Sequence, residues 1–377
     1  MDFSFSEEQD MLRKVARNFC ANECPTNLVR EMEKDQQGYP TDLWNKMAGL
    51  GWIGLAFPEE YGGTGGSFLD LAVLLDEMGR ARLPGPFFST VVLGGFIILE
   101  AGNEAQKNDL LPNIANGDLI VTLALTEHSA SFNAAGVELS AIADKEDFIL
   151  DGTKFFVPDA HVADYIVCVA RTDDGADKEK GVTLFLVDAK KSGVSCNPLE
   201  TIAGDKQCEV IFNKVRIPRE NIIGEVDQGW TYVKNLLQKA TSAKCVEIAG
   251  GAQQILDMTL AYAKERVQFG HPIGTLQAIQ HHCTNMATDV EGSMFIAYQA
   301  AWMVSEALPC SKEVAMAKAW VGDAFRRITL LGHQVHGAIG FTEDHDLTLY
   351  SRRSRAWETA FGDSYFQREI IAQQLGL

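Results

Sequence analysis

The chain has 377 residues, 46% of them hydrophobic, enough for two or three packed units rather than one core. A formal net charge of -18 argues against nucleic acid as a partner, because phosphate backbones need Lys and Arg gathered on one face. No run approaches eighteen uninterrupted apolar residues, and MDFSFSEEQD carries acids where a secretion signal would carry basic residues, so the reading is of a soluble, cytoplasmic protein without membrane association. Eight cysteines are scattered singly, with no CxxC pair and no histidines at ligand spacing, which reads as reduced thiols and no metal site.

In chain order, residues 6 to about 118 follow a helical pattern. Ser6-Glu-Glu-Gln9 reads as a capping box, and the apolar residues of LDLAVLLDEM recur at three- and four-residue spacing. The loop FPEEYGGTGGS, Phe57 to Ser67, is dense in Gly and Pro and reads as an ordered bend. From 119 to 226 the pattern changes to short β-type runs such as LIVTLAL, DFILDGTKFFV and GVTLFLVD, with Asp151-Gly152 and Asp174-Gly175 as hairpin turns. Strands without intervening helices imply an antiparallel β-barrel or sandwich rather than a dinucleotide-binding α/β sheet. From 227 to 377 the pattern is helical again. The run from Tyr232 to Phe269 is one long amphipathic stretch, and those after it imply a helical bundle. The fold class is therefore α+β: an N-terminal all-α domain, a middle β-barrel and a C-terminal four-helix bundle.

Six segments then resemble, in order and along the whole chain, the acyl-CoA dehydrogenases. They are PEEYGG at Pro58 to Gly63, ALTE at Ala124 to Glu127, DGTK at Asp151 to Lys154, FNKVRIPRENIIG, YAKERVQFGHPIGTLQAIQ at Tyr262 to Gln280, and QVHGAIGF at Gln334 to Phe341. The resemblance implies FAD as cofactor, an acyl-CoA substrate, an electron-transfer flavoprotein as electron acceptor, and a homotetramer or a heterotetramer with a homologue. It carries Leu123, Leu125 and Thr126 over as flavin contacts, with Phe156 packing on the ring. Pro158 stands where the family has a threonine and can donate neither hydroxyl nor amide hydrogen. His128-Ser-Ala-Ser-Phe132 likewise replaces the family's Pro-Gly-Ala-Gly-Ser. Arg266 and Phe269 fall where a neighbouring subunit clamps the FAD diphosphate and covers the adenosine, and Gln334, Gly337 and Gly340 fall in a second clamp.

The reaction of the family needs a carboxylate to take the α-proton while the β-hydrogen leaves as hydride to the flavin. In most members that carboxylate is the Glu of a Tyr-Glu-Gly-Thr turn, but the matching positions here are Ala360-Phe361-Gly362-Asp363. Phe361 cannot accept a proton. Asp363 reads as a cofactor contact and a base candidate. Glu247 is the other candidate, three residues beyond Lys244, where some members carry the base; it also reads as an intrahelical partner of Lys244. Glu358 is a third. Phe87 and Phe88, near Pro84, read with Phe361 as the lining of a compact acyl pocket. The run Ser351-Arg-Arg-Ser-Arg355 reads either as a solvated face or as a site for CoA phosphates or a neighbouring subunit. The leading reading is α,β-dehydrogenation of a short, branched or alicyclic acyl-CoA. The alternatives are a half-site subunit of a heteromeric enzyme, or related oxidase, monooxygenase or desulfinase chemistry.

Overall fold

The computed structural model describes residues 5–377; residues 1–4, the start of the acidic N-terminal stretch, lie outside the described residues. Helix α1 (Glu7–Glu23) opens as its sequence implies: the Ser6 hydroxyl accepts from the Gln9 amide at 3.1 Å and the Gln9 side chain accepts from the Ser6 amide. After α2 (Thr26–Lys34) and α3 (Thr41–Gly49), helix α4 (Phe68–Ala81) begins with the same device at Ser67 and Asp70. A π-helical segment (Phe88–Gly95) runs straight into α5 (Phe96–Ala101), followed by α6 (Glu104–Ala115). Such segments shift side-chain register by one position per turn and recur at functional sites.

The middle of the chain forms β1 (Val121–Ala124), β2 (Ser140–Asp144), β3 (Asp147–Pro158), β4 (Tyr165–Arg171), β5 (Val182–Asp188), β6 (Val194–Leu199), β7 (Gln207–Pro218) and β8 (Ile222–Ile223). They make one eight-stranded sheet in the order β6-β7-β3-β2-β4-β5-β8, with β1 added on β4. Two details depart from the sequence reading. The sheet is not purely antiparallel, since β1 and β2 both run parallel to β4. Asp151-Gly152 is also not a hairpin turn: both residues lie inside β3, where the register against β7 slips between Leu150 and Gly152. Gly152 has φ +147, and a Cβ there would come within 2.9 Å of the Leu139 side chain, so the glycine makes a bulge rather than a turn.

Helix α7 (Gly229–Glu265) starts the C-terminal part, and a short hairpin of β9 (Val267–Gln268) and β10 (His271–Pro272) leads to α8 (Gln277–Ser305) and α9 (Ser311–His336). These three helices pack on one another, with α10 (Leu347–Thr359) and α11 (Ser364–Gln374) against α9. The first half of α7 belongs to the core shared by the N-terminal helices and the sheet, and its second half to the core of the bundle. No helix among the described residues is long and apolar enough to cross a membrane, and all eight cysteines are free.

Helices α4 and α7 meet backbone to backbone. A Cβ on Gly79 would stand 2.0 Å from the Glu247 carbonyl oxygen, and one on Gly250 would stand 2.0 Å from that of Asp76. Two buried acids of α4 also hold α1: Arg13 binds Asp76 at 3.0 Å, and Arg17 binds Glu77 through two nitrogens at 2.6 and 3.0 Å. Gly250→Ala should therefore destabilise the protein even though alanine is intrinsically the better helix former by about 1 kcal/mol. Overpacking of this kind costs roughly 1–3 kcal/mol or more. A denaturant titration will show a lowered midpoint; a raised one would mean the two helices have slack.

Candidate functional site

One cavity of about 630 Å³ opens between the N-terminal helices, the sheet and the C-terminal bundle. The sequence-predicted residues Leu123, Leu125, Thr126, Phe156, Phe88, Glu247 and Phe361 all line it, together with Pro84, Pro158 and Lys244. Phe87 does not: it is 2% exposed inside the core, while its neighbour Phe88, the first residue of the π-helical segment, lines the cavity. Arg266, Phe269, Gln334, Gly337, Gly340 and Asp363 are also absent from this wall.

The strand end that carries Leu125 and Thr126 is fixed from below. Fully buried Lys154 donates to the Leu125 carbonyl at 3.0 Å and to Glu127 Oε1 at 2.6 Å, and that oxygen also accepts from the Glu138 and Leu139 amides. A buried ion pair with this many hydrogen bonds tolerates its desolvation. The resulting wall is flat and apolar, and Phe156, 54% exposed, stands beside it. This suits the isoalloxazine of FAD. The Thr126 hydroxyl donates to the Phe155 carbonyl at 2.5 Å, so toward a flavin it can only accept, and Pro158 offers no donor at all.

The second set of residues expected from the sequence to contact the cofactor lies at one end of the bundle. The Tyr262 ring stacks on His336 at 4.5 Å, which brings the end of α7, with Arg266, beside the end of α9, with Gln334 and Gly337. Phe269 is 86% exposed here, and Ile339 and Phe341 are exposed nearby in sequence. Arg266 has no ion pair among the described residues, and Gly337 adopts φ +64 with open space where a Cβ would be. Exposed aromatic and guanidinium groups in such a place fit an adenosine diphosphate presented by another chain.

Phe361 sits on the turn between α10 and α11 with φ +57. Its ring stacks on Phe88 at 5.9 Å and lies 6.2 Å from Phe132. Lys318 of α9 secures the turn from behind, donating to the Glu358 carbonyl at 2.7 Å and the Gly362 carbonyl at 3.0 Å; burial pulls its ammonium down to about 8. Asp363 caps α11, its Oδ1 accepting from the Tyr365 and Phe366 amides at 3.1 and 2.9 Å. Glu358 is held between Arg326 and Arg355 at the bundle surface. Of the candidate bases named from the sequence, Glu247 alone lines the cavity. It is ion-paired with Lys244, whose Nζ lies 3.9 Å from the centroid of the Phe88 ring.

One cavity residue, Asp159, was not singled out by sequence reasoning, and another, Arg353, has a different surrounding from the exposed face that was one of its readings. Asp159 follows directly on the Phe156-Val157-Pro158 stretch, and the Ser89 hydroxyl of the π-helical segment donates to it at 2.6 Å. Burial lifts its carboxyl to about 6, with Asp205 adding to the effect while the Ser89 bond, Lys244 and Lys206 oppose it. Arg353, within the run read either as a solvated face or as a site for CoA phosphates or a neighbouring subunit, is only 9% exposed and lines the cavity.

Family profiles match nearly the whole chain: the acyl-CoA dehydrogenase N-terminal domain over residues 6–118, the middle domain over 122–215 and the C-terminal domain over 227–376. The chain belongs to the acyl-CoA dehydrogenase family. It is 31% identical to the caffeyl-CoA reductase-Etf complex subunit CarC of Acetobacterium woodii, over 98% of this chain and 99% of that one. The structure of butyryl-CoA dehydrogenase from Megasphaera elsdenii superposes with a TM-score of 0.92 at 26% identity, covering 100% of both chains. The ChsE4-ChsE5 complex of Mycobacterium tuberculosis gives 0.90 at 27% identity, covering 100% of this chain and 99% of that one. Members are FAD-dependent flavin oxidoreductases that act on CH–CH groups.

The raised Asp159 carboxyl has a consequence for stability. Between its ordinary value of 3.8 and about 6 the folded chain holds a proton that the unfolded chain has released, so this group's contribution to stability falls as pH rises through that window. Asp159→Asn should leave stability nearly unchanged at pH 4 and raise it at pH 7 by on the order of 1–3 kcal/mol. Urea titrations of both proteins at the two pH values read this directly; a variant that is weaker at pH 7 would contradict it.

Proposed function

We propose that this flavoprotein forms the α,β double bond of a short, branched or alicyclic acyl-CoA in the cytoplasm, with Glu247 as the carboxylate that accepts the α-proton. The observation that carries this reading is the shared cavity, in which the apolar flavin wall of Leu123, Leu125, Thr126 and Phe156 faces Phe88, Phe361 and Glu247. Leu123, Leu125, Thr126 and Phe156 would hold the FAD ring, which would supply the hydride acceptor for the β-hydrogen. The chain's own side chains do the rest. Phe88, Phe132 and Phe361 exclude water from the acyl group, and Lys244 holds the Glu247 carboxylate at the wall. The exposed Phe269 and Arg266 serve a neighbouring subunit, which makes the working form a tetramer, and electrons pass to an electron-transfer flavoprotein. The caffeyl-CoA reductase relative is named as part of a complex with such a flavoprotein. That relative is named as a reductase, the reverse direction of the same reaction.

A second reading is favoured by one observation: the position at which some family members carry the base on α7 holds Lys244, and the usual glutamate is Phe361. The chain is then one half of a heteromeric enzyme whose partner supplies the carboxylate; the relative from Mycobacterium tuberculosis is itself named as a two-component complex.

Adding candidate acyl-CoAs anaerobically to the purified protein should bleach the flavin absorbance, and Glu247→Gln should slow that bleaching by roughly 10²- to 10⁴-fold. Bleaching that survives the substitution moves the base elsewhere. If the chain alone stays silent and responds only after a homologue is co-expressed, the half-site reading holds.

A further inference from the structure

Among the described residues, buried Lys154 and Lys244 meet carboxylates and buried Arg171 and Lys318 donate to backbone carbonyls, whereas two buried guanidiniums that lie near one another are left short of partners. Arg353 on α10 and Arg82 at the end of α4 are 9% and 3% exposed, yet neither forms an ion pair among the described residues. Each has its Nε buried without a hydrogen-bond partner. The two guanidiniums are close enough to oppose one another's charge, which together with burial lowers Arg82 from its ordinary value. Arg82 reaches the Thr26 hydroxyl at 3.2 Å and the Asp346 carbonyl at 3.5 Å and lies over the Tyr350 ring at 4.2 Å. Arg353 has only the Trp357 ring, 5.7 Å away.

The nearby acids are otherwise engaged. Glu33, on the same cavity wall, gives Oε2 to Arg352 at 2.6 Å; its Oε1 is buried without a partner and sits outside ion-pair reach of Arg353. Asp346 is bound by Arg30 at 3.1 Å and by Thr26. Cys24 lies beside both free guanidiniums, but burial pushes its thiol up to about 11, so it carries no charge at neutral pH. Arg30, Arg82, Arg352 and Arg353 thus stand against Glu33 and Asp346, four guanidiniums to two carboxylates. Lys206, also on the wall, adds a further cation and gives its Nζ to the Glu33 carbonyl at 2.9 Å. The other acids that line the cavity have their own partners: Glu247 pairs with Lys244, Asp159 takes the Ser89 hydroxyl, and Asp205 accepts from Thr201 and Gln207. Glu200 is solvent-exposed.

A buried, unpaired guanidinium costs several kcal/mol unless an anion reaches it, and its forked geometry suits a carboxylate. We propose that the cavity takes an acyl group that itself ends in a carboxylate, an ω-carboxyacyl thioester, and that Arg353, backed by Arg82, binds that distal carboxylate. This rests on the acyl-CoA reading above and narrows its substrate class. The aromatic cluster of Phe88, Phe132 and Phe361 encloses the hydrocarbon part, and Arg353 supplies the one charged contact that separates a diacid half-thioester from a plain acyl chain.

Calorimetric titration of the purified protein with ω-carboxyacyl-CoA thioesters from succinyl to suberoyl, each beside its methyl ester, tests this. At the best-fitting length the free acid should bind roughly ten- to a hundredfold tighter than the ester. In Arg353→Gln that ratio should fall to about one, and Arg353→Lys should retain part of it. Equal binding of acid and ester by the unsubstituted protein, which needs no variant to fold, overturns the proposal while leaving the acyl-CoA reading intact. Arg353→Gln weakening acid and ester alike would assign the guanidinium to the CoA phosphates and overturn it as well. If no thioester binds at all, the acyl-CoA reading itself fails and takes this one with it.

Discussion

The contact between α4 and α7 governs how this molecule is put together. Where Gly79 and Gly250 let the two helices touch through their backbones, the N-terminal and C-terminal helical parts become one body, and neither glycine has room for a single added carbon. Helix α7 then serves two cores along its length, the sheet side with its first half and the bundle side with its second. Lys244 and Glu247 lie where those halves join. Their position on the cavity wall is thus set by helix packing rather than by any local loop, and loops are the parts of proteins most free to move.

Much of the fold was legible because it rests on local rules. The capping boxes at Ser6 and Ser67, the helical period of α4 and the unbroken run of α7 are each written in a few consecutive residues. The errors came where a local signal had two physical meanings. Asp-Gly favours a tight hairpin turn, yet in β3 the same flexibility serves a bulge, and only the pairing with β7 decides between them. Parallel pairing of β1 with β4 depends on contacts across some forty residues, which no alternation pattern reveals.

The candidate site was legible in the apolar residues that line its cavity and opaque in its charges. Leu123, Leu125, Thr126 and Phe156 come from short motifs whose order along the chain is informative. Phe87 and Phe88 illustrate the limit: they are adjacent and chemically identical, yet the packing of their segment, which the sequence does not announce, puts one in the core and the other on the cavity wall. Arg353 shows the same limit for electrostatics. Within Ser351-Arg-Arg-Ser-Arg355, one arginine pairs with Glu33, one with Glu358 and the middle one is buried, and composition cannot tell these three fates apart. Asp159 was hidden because its interest lies in Ser89, seventy residues earlier in the chain.

The turn that carries Phe361 has a further implication for how such sites diverge. Its left-handed backbone is imposed from outside, by Lys318 gripping the carbonyls of Glu358 and Gly362 and by Gln367 holding the carbonyl of Phe361 itself. The strain is thus held by groups other than the side chain at this position, so an unbranched non-glycine residue can be displayed there at a modest conformational cost. Residue 361 is in this sense a socket. A lineage can exchange a proton acceptor for an aromatic ring, or the reverse, by substitution at one position, and the geometry that aims that position into the cavity passes unchanged from one chemistry to the next.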